Sequence, residues 1–323
     1  MSKRSPRPPP QSKGAPTPGS TSILELDRFT EASLEKWRAA SKDLDELQAV
    51  LYFALEPDRR RLRPELIAAL QQVPPVSIHG GSWCRIVSYR YSHQPLSCAG
   101  SLQSVGGRFN AGVDLDETAL NPWPALYLAQ DYETAFREKF QMPSDHLAEG
   151  LKPHELALEP GASHSCVLLG VKLNRVFDMT ATHAFDAVAK VFRKIKMPPQ
   201  AGPILKRLKQ PKSSVYMAQT PLQLRQLVLK NNWRVLPIQY GLPAQSQVFA
   251  ELIRAAGYEG ILYPSTKGSG QCLAIYPEFL GDDSFVELAD GAPPGVKHPR
   301  LDSATADELA GWDSLPPRLN PRV

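Results

Sequence analysis

The 31 prolines of this 323-residue chain are unevenly placed, and their placement limits where regular structure can run. Proline fixes φ and has no N–H to donate, so it ends ladders and breaks helix interiors. Residues 1–20 mix Pro with Ser and Gly and carry Lys3, Arg4, Arg7 and Lys13 without an acid. Such a segment has too little apolar surface to offset the entropy of ordering, and a disordered tail is expected. Residues 289–323 hold Pro293, Pro294, Pro299, Pro316, Pro317 and Pro321 and read as a second, Pro-rich tail, with room for a short helix at 304–312.

Residues 21–74 read as a helical N-terminal segment. Leu44, Leu47, Leu51 and Leu55 recur at helical spacing, and Leu66, Ile67 and Leu70 form a second stripe. Pro57 and Pro64 are expected to separate the two, with the Arg59, Arg60, Arg61, Arg63 run as a solvated linker. From residue 75 to 288 short apolar runs alternate with turns and helices. Strands are predicted at 84–88, 125–129, 166–173, 260–263 and 272–276. Helices are predicted at 132–140, 183–194, 221–230 and 245–256. The βαβ repeats are too few for a doubly wound parallel sheet, so the expected class is mixed α+β.

The net charge of +4 is mild, which argues against a duplex-binding protein and leaves anionic small ligands open. The basic stretches 193–196 and 206–212 lack interleaved aromatics and read as solvated faces. Cys84, Cys98, Cys166 and Cys272 show no CxxC spacing, and the seven histidines show no HExxH. No metal is expected, and the cysteines read as free thiols of a cytoplasmic protein. No signal-peptide h-region and no run of about 18 apolar residues occurs, so no membrane association is expected.

Several short stretches can carry chemistry. In Gly106-Gly107-Arg108-Phe109-Asn110, glycine lets the backbone approach a ligand and arginine presents a fork suited to phosphate. Ala125-Leu126-Tyr127-Leu128-Ala129 is an apolar strand whose tyrosine needs a hydroxyl partner or lines a cavity. Asp131 suits a helix N-cap, with Thr134 three residues on and Glu138 in the helix that follows. In Tyr263-Pro264-Ser265, proline halts a strand and places serine just beyond its end. Arg85 opens an apolar strand. Each alone has a bland reading: a glycine turn, an exposed acid, a turn-forming serine, an outward-pointing arginine.

In this order, however, Arg85, GGRFN, ALYLA, the Thr134–Glu138 helix and YPS resemble the RES-domain family of bacterial toxins, over about residues 83–280. Gln247, Gly257-Tyr258-Glu259-Gly260 and a closing strand from Cys272 fit as well. The resemblance implies an ADP-ribosyltransferase-like mixed-sheet core and NAD⁺ as substrate. It implies cleavage of the nicotinamide–ribose bond by a glycohydrolase or phosphorylase, or ADP-ribosylation of a protein. It also implies a toxin–antitoxin pair with an Xre-type antitoxin. Arg85, Arg108, Tyr127, Glu138 and Ser265 match the family's site positions, with Gly107 beside Arg108. The stretches 113–124 and 139–164 look long for a compact member.

The chemistry suits these residues. The leaving group is already cationic, so cleavage needs stabilisation of an oxocarbenium-like ribose more than a proton. Glu138 is the candidate carboxylate. Arg85, Arg108 and the backbone N–H groups of the glycine turn are expected on the pyrophosphate. Tyr127 is expected to pack on nicotinamide or orient the ribose, and Ser265 to hydrogen-bond the nicotinamide amide or ribose. A non-catalytic binding module on the same fold is the reading from another class. The acceptor and the oligomeric state are left open.

Overall fold

The computed structural model describes residues 31–144 and 163–315. The expected N-terminal tail, most of the long 139–164 stretch and the last prolines lie outside the described residues. No described helix is long and apolar enough to cross a membrane.

The chain divides into two compact units, Met1–Ala54 with Pro198–Val215, and Leu55–Met197 with Tyr216–Val323. The expected helical segment is therefore split. In the smaller unit, helix α1 (Glu31–Phe53) packs on the Ala201–Arg207 helix. Arg207 Nε sits 2.8 Å from Asp43 Oδ1 and its guanidinium also pairs with Glu46. The predicted leucine stripe is only partly buried: Leu47 is inside, whereas Leu44 is 46% exposed.

Helix α2 (Glu56–Gln71) belongs to the larger unit and buries Leu62, Leu66, Ala69 and Leu70 against the Asp186–Phe192 and Gln245–Ala255 helices. Pro57 falls in its first turn, where a missing N–H removes no intrahelical bond. Pro64 lies inside the helix rather than ending it. The arginine run is likewise helical, not a linker. Arg59 and Arg60 pair with Glu56, Arg61 with Asp58, and Arg63 with Glu251. Helical spacing of three or four residues brings the intrahelical partners together.

The larger unit is a mixed α+β fold. Its strands are β1 (Val76–His79), β2 (Trp83–Ser88), the short β3 (Gly106–Gly107) and β4 (Asn110–Ala111), β5 (Leu126–Ala129), β6 (His164–Asp178), β7 (Gly260–Pro264), β8 (Gln271–Ile275), β9 (Phe285–Leu288) and β10 (Arg300–Leu301). Eight of them form one sheet, in the order β10-β9-β6-β2-β5-β8-β7, with β1 also on β6. All pairings are antiparallel except β6 with β7, where Val176 to Asp178 run beside Gly260 to Leu262. That pairing closes β6-β2-β5-β8-β7 into a ring.

Period-two alternation sorts the side chains. Leu126, Leu128, Leu262, Leu273 and Ile275 fill one face. Tyr127, Ala129, Ile261, Tyr263, Cys272 and Ala274 fill the other, together with α2 and helix α3 (Tyr132–Phe140). The candidate site residues Tyr127 and Glu138 belong to this second face and to α3 beside it.

The segment expected as a C-terminal tail is folded as far as residue 315. β10 pairs with β9, and Leu301 and Leu309 are fully buried in the first face. A helix at Ala306–Ala310 follows, and Trp312 and Leu315 pack on Ala99. Prolines 293, 294 and 299 punctuate the approach, but the apolar residues beyond them have a sheet to cover.

Candidate functional site

The GGRFN stretch forms the β3–β4 hairpin with Arg108 and Phe109 at its tip. Gly106 has φ +83°, and a Cβ there would lie 2.5 Å from the Asn110 carbonyl oxygen. At Gly107 a Cβ would lie 2.5 Å from the Tyr127 hydroxyl and 2.6 Å from Asn110 Oδ1. The second glycine therefore admits Tyr127 to the hairpin. Gln247, itself fully buried, donates Nε2 to the carbonyls of Val105, Gly107 and Asn110 at 2.8, 3.0 and 2.9 Å.

Backbone N–H groups expected to face a pyrophosphate are committed inside the protein. Gly106 N–H donates to the Gln103 carbonyl, and Gly107 N–H to Asn110 Oδ1 at 2.8 Å. Tyr127 is tied to the same hairpin: its hydroxyl accepts from Phe109 N–H and donates to Asn110 Oδ1, both at 2.9 Å. Burial pushes its phenol well above the ordinary range, so it stays a donor.

Arg108 is 8% exposed. Its Nη1 donates to the Lys230 carbonyl at 2.7 Å and its Nη2 to Thr266 Oγ1 at 3.1 Å. Arg85, from β2, donates Nη1 to the Pro95 carbonyl at 2.5 Å and Nη2 to the Ser97 carbonyl at 3.0 Å. Burial lowers the proton affinity of both arginines. Both remain cations, given how high a guanidinium starts.

Glu138 is set by helix α3. Asp131 caps it, accepting from Thr134 N–H at 2.7 Å, which fixes where the second turn points. Glu138 Oε1 accepts from the Ser265 hydroxyl at 2.6 Å and from Thr266 N–H at 3.1 Å. Its Oε2 has no hydrogen-bond partner among the described residues. Ser265 Oγ in turn accepts from the N–H groups of Lys267 and Gly268 at 3.0 and 3.2 Å. Its own proton is thus aimed at Glu138, not at a ligand.

These residues surround a cavity of about 420 Å³, within the range of small-molecule sites. Among the described residues its charged lining is Arg85, Arg90, Arg108, Lys139 and Arg234 against a single carboxylate, Glu138. Tyr127 also lines it, whereas Ser265 stands behind Glu138. Sequence reasoning passed over Arg90, Lys139 and Arg234. Arg234 lies 4.6 Å over the Trp233 ring and donates to Gln141 Oε1 at 3.1 Å. Burial lowers its proton affinity, and the Glu138 carboxylate opposes that. Burial lowers the proton affinity of Lys139, and the charges of Arg85 and Arg90, which line the same cavity, lower it further.

The family model for the RES domain matches residues 82–290. The chain belongs to the RES-domain family. The match excludes α2, β1 and the chain beyond residue 290, although α2, β1 and β10 are built onto the RES sheet or its helices. One solved structure is similar to the RES-domain chain, the M. tuberculosis MbcT-MbcA toxin-antitoxin complex. Its identity is 14% and its TM-score 0.38, over 76% of this chain and 97% of that one. No curated protein sequence matches significantly.

Proposed function

We propose that this RES-domain protein binds NAD⁺ and breaks its nicotinamide–ribose bond, acting as the toxin of a toxin–antitoxin pair. The observation that carries the reading is electrostatic: five cations enclose one fixed carboxylate in a cavity of ligand size. A dinucleotide presents the complementary pattern, two phosphate charges beside a ribose that becomes cationic as nicotinamide leaves. Cations placed in a pocket of restricted access attract such a ligand and hold its phosphates.

Glu138 is the residue assigned to the developing charge. Oε1 is held by Ser265 and Thr266, and Oε2 is the oxygen assigned to C1′ or a ribose hydroxyl. The C1′–N bond breaks with its electron pair going to the nicotinamide nitrogen, which loses its positive charge. Water, phosphate or a protein side chain then bonds to C1′ and gives up a proton. Preorganised charge placed where charge develops is usually the largest single contribution to such a step. Arg108, Arg85 and Arg234 hold the pyrophosphate. Ser265 acts as a positioning residue for Glu138, and Tyr127 shapes the hairpin that carries Arg108. A destructive activity of this kind needs restraint, and an Xre-type antitoxin covering the cavity is the partner assigned.

The test is direct. Purified protein is incubated with NAD⁺, with and without phosphate and with and without cell extract, and free nicotinamide is followed. Release without extract identifies a glycohydrolase or phosphorylase. Release only with extract identifies a transferase. No release under any condition, from folded protein freed of partners, would overturn the enzymatic reading and favour a binding module.

A further inference from the structure

Thr266 faces two parts of the site at once. Its backbone N–H donates to Glu138 Oε1 at 3.1 Å, and its hydroxyl oxygen accepts from Arg108 Nη2 at 3.1 Å. The two contacts leave from adjacent points of one residue, so its covalent frame fixes the spacing between carboxylate and guanidinium. Among the described residues Arg108 has one other hydrogen-bond acceptor, the Lys230 carbonyl at 2.7 Å, and it is nearly inaccessible. Without the threonine hydroxyl, a buried arginine N–H loses its partner and the fork can turn away. Ser265 holds the same carboxylate oxygen from the neighbouring position, so the Glu138 end is secured twice and the Arg108 end of Thr266 once.

We infer that Thr266 is a specificity-determining positioning residue that makes the site select pyrophosphate-bearing substrates. It rests on the NAD⁺ reading above. The hydroxyl holds Arg108 at the distance from Glu138 at which a phosphate and the ribose carbon of one dinucleotide are engaged together. A substrate without a pyrophosphate gains nothing from it. Thr266 itself touches no substrate, since it stands outside the cavity lining.

The experiment compares wild type, Thr266→Val and Thr266→Ser in the full chain. Valine keeps the shape and the backbone N–H but deletes the acceptor, and serine restores it. Two readouts are taken: ADP-ribose affinity by calorimetry, and nicotinamide release from NAD⁺ and from nicotinamide riboside, which lacks the pyrophosphate. Valine is expected to weaken ADP-ribose binding about tenfold and raise KM for NAD⁺ by a similar factor, as for one lost hydrogen bond to a charged group. Riboside cleavage is expected to be unchanged, and serine to recover the NAD⁺ behaviour.

If valine binds ADP-ribose like wild type, or lowers NAD⁺ and riboside cleavage in equal proportion, Thr266 is an ordinary turn residue and the inference is overturned. If wild type neither binds ADP-ribose nor releases nicotinamide, the NAD⁺ reading falls and the inference with it. These two failures are distinguished by the wild-type measurements alone.

Discussion

The Ser265 hydroxyl donates to Glu138 Oε1 at 2.6 Å, joining the residue just beyond β7 to the second turn of α3 across 127 positions of sequence. Ser265 thereby holds the one carboxylate among the described residues that line the cavity. For Ser265→Ala the expected result is a fall of about 10–100-fold in nicotinamide release, the loss of one charge-assisted hydrogen bond. Glu138→Ala is expected to lose on the order of 10²–10³. Steady-state kinetics with NAD⁺ decides both. A Ser265→Ala protein more impaired than Glu138→Ala would reverse the assigned roles.

Tyr127→Phe separates ring from hydroxyl. Were the aromatic face the part that matters, phenylalanine would be neutral. Because the hydroxyl serves Phe109 N–H and Asn110 Oδ1, we expect a stability loss of about 1–3 kcal/mol and weaker NAD⁺ binding. Urea unfolding and calorimetry measure the two. Gly107→Ala is expected to give a similar defect, since its Cβ would meet the Tyr127 hydroxyl at 2.5 Å.

Gln247→Leu removes one amide nitrogen that three buried carbonyls share. Leucine matches its bulk but leaves those acceptors and the Ala244 N–H unpaired. Unfolding free energy is expected to drop by at least about 2 kcal/mol. A leucine variant as stable as wild type would show that water replaces the amide.

Alkaline stability follows from the cysteines. Burial pushes Cys84 and Cys98 up to about 12, with the Cys166 sulfur adding to the effect at Cys84. Their folded values lie above the unfolded one, so their contribution is complete below the ordinary thiol value of about 8.5. Between there and about pH 12 the unfolded chain binds fewer protons, so stability declines as pH rises. The melting temperature is expected to fall between about pH 8 and 11, less steeply in Cys98→Ala. Identical slopes in the two proteins would remove Cys98 from the account.

What the sequence made legible was local. The Asp131 cap and the α3 span are set by neighbours three residues apart, and they are where the pattern puts them. A buried tyrosine in an apolar strand needed a hydroxyl partner, and Tyr127 has two, though both belong to the protein. Short apolar runs bounded by turns likewise marked five strands of the mixed sheet. Other features depend on distant chain. Nothing near Ser265 announces Glu138, and Arg234 lies in an Asn-Asn-Trp-Arg turn without periodicity. At the C-terminal end, proline content outweighed Leu301, Leu309 and Trp312, whose burial requires knowing that a sheet face stands open.

The folded end has a consequence for the order of assembly. Arg85 leans on the Ser97 carbonyl, Ser97 Oγ meets Ser314 Oγ at 2.6 Å, and Cys98 N–H donates to the Leu309 carbonyl at 2.8 Å. The last two contacts span more than two hundred positions, and closing so long a loop carries a larger entropic cost than closing a short one. The wall behind Arg85 is therefore expected to open before the sheet does. Amide exchange at Cys98 should outpace that at Leu273 in the centre of the sheet, and the cavity should lose its Arg85 side before the ring of strands loosens.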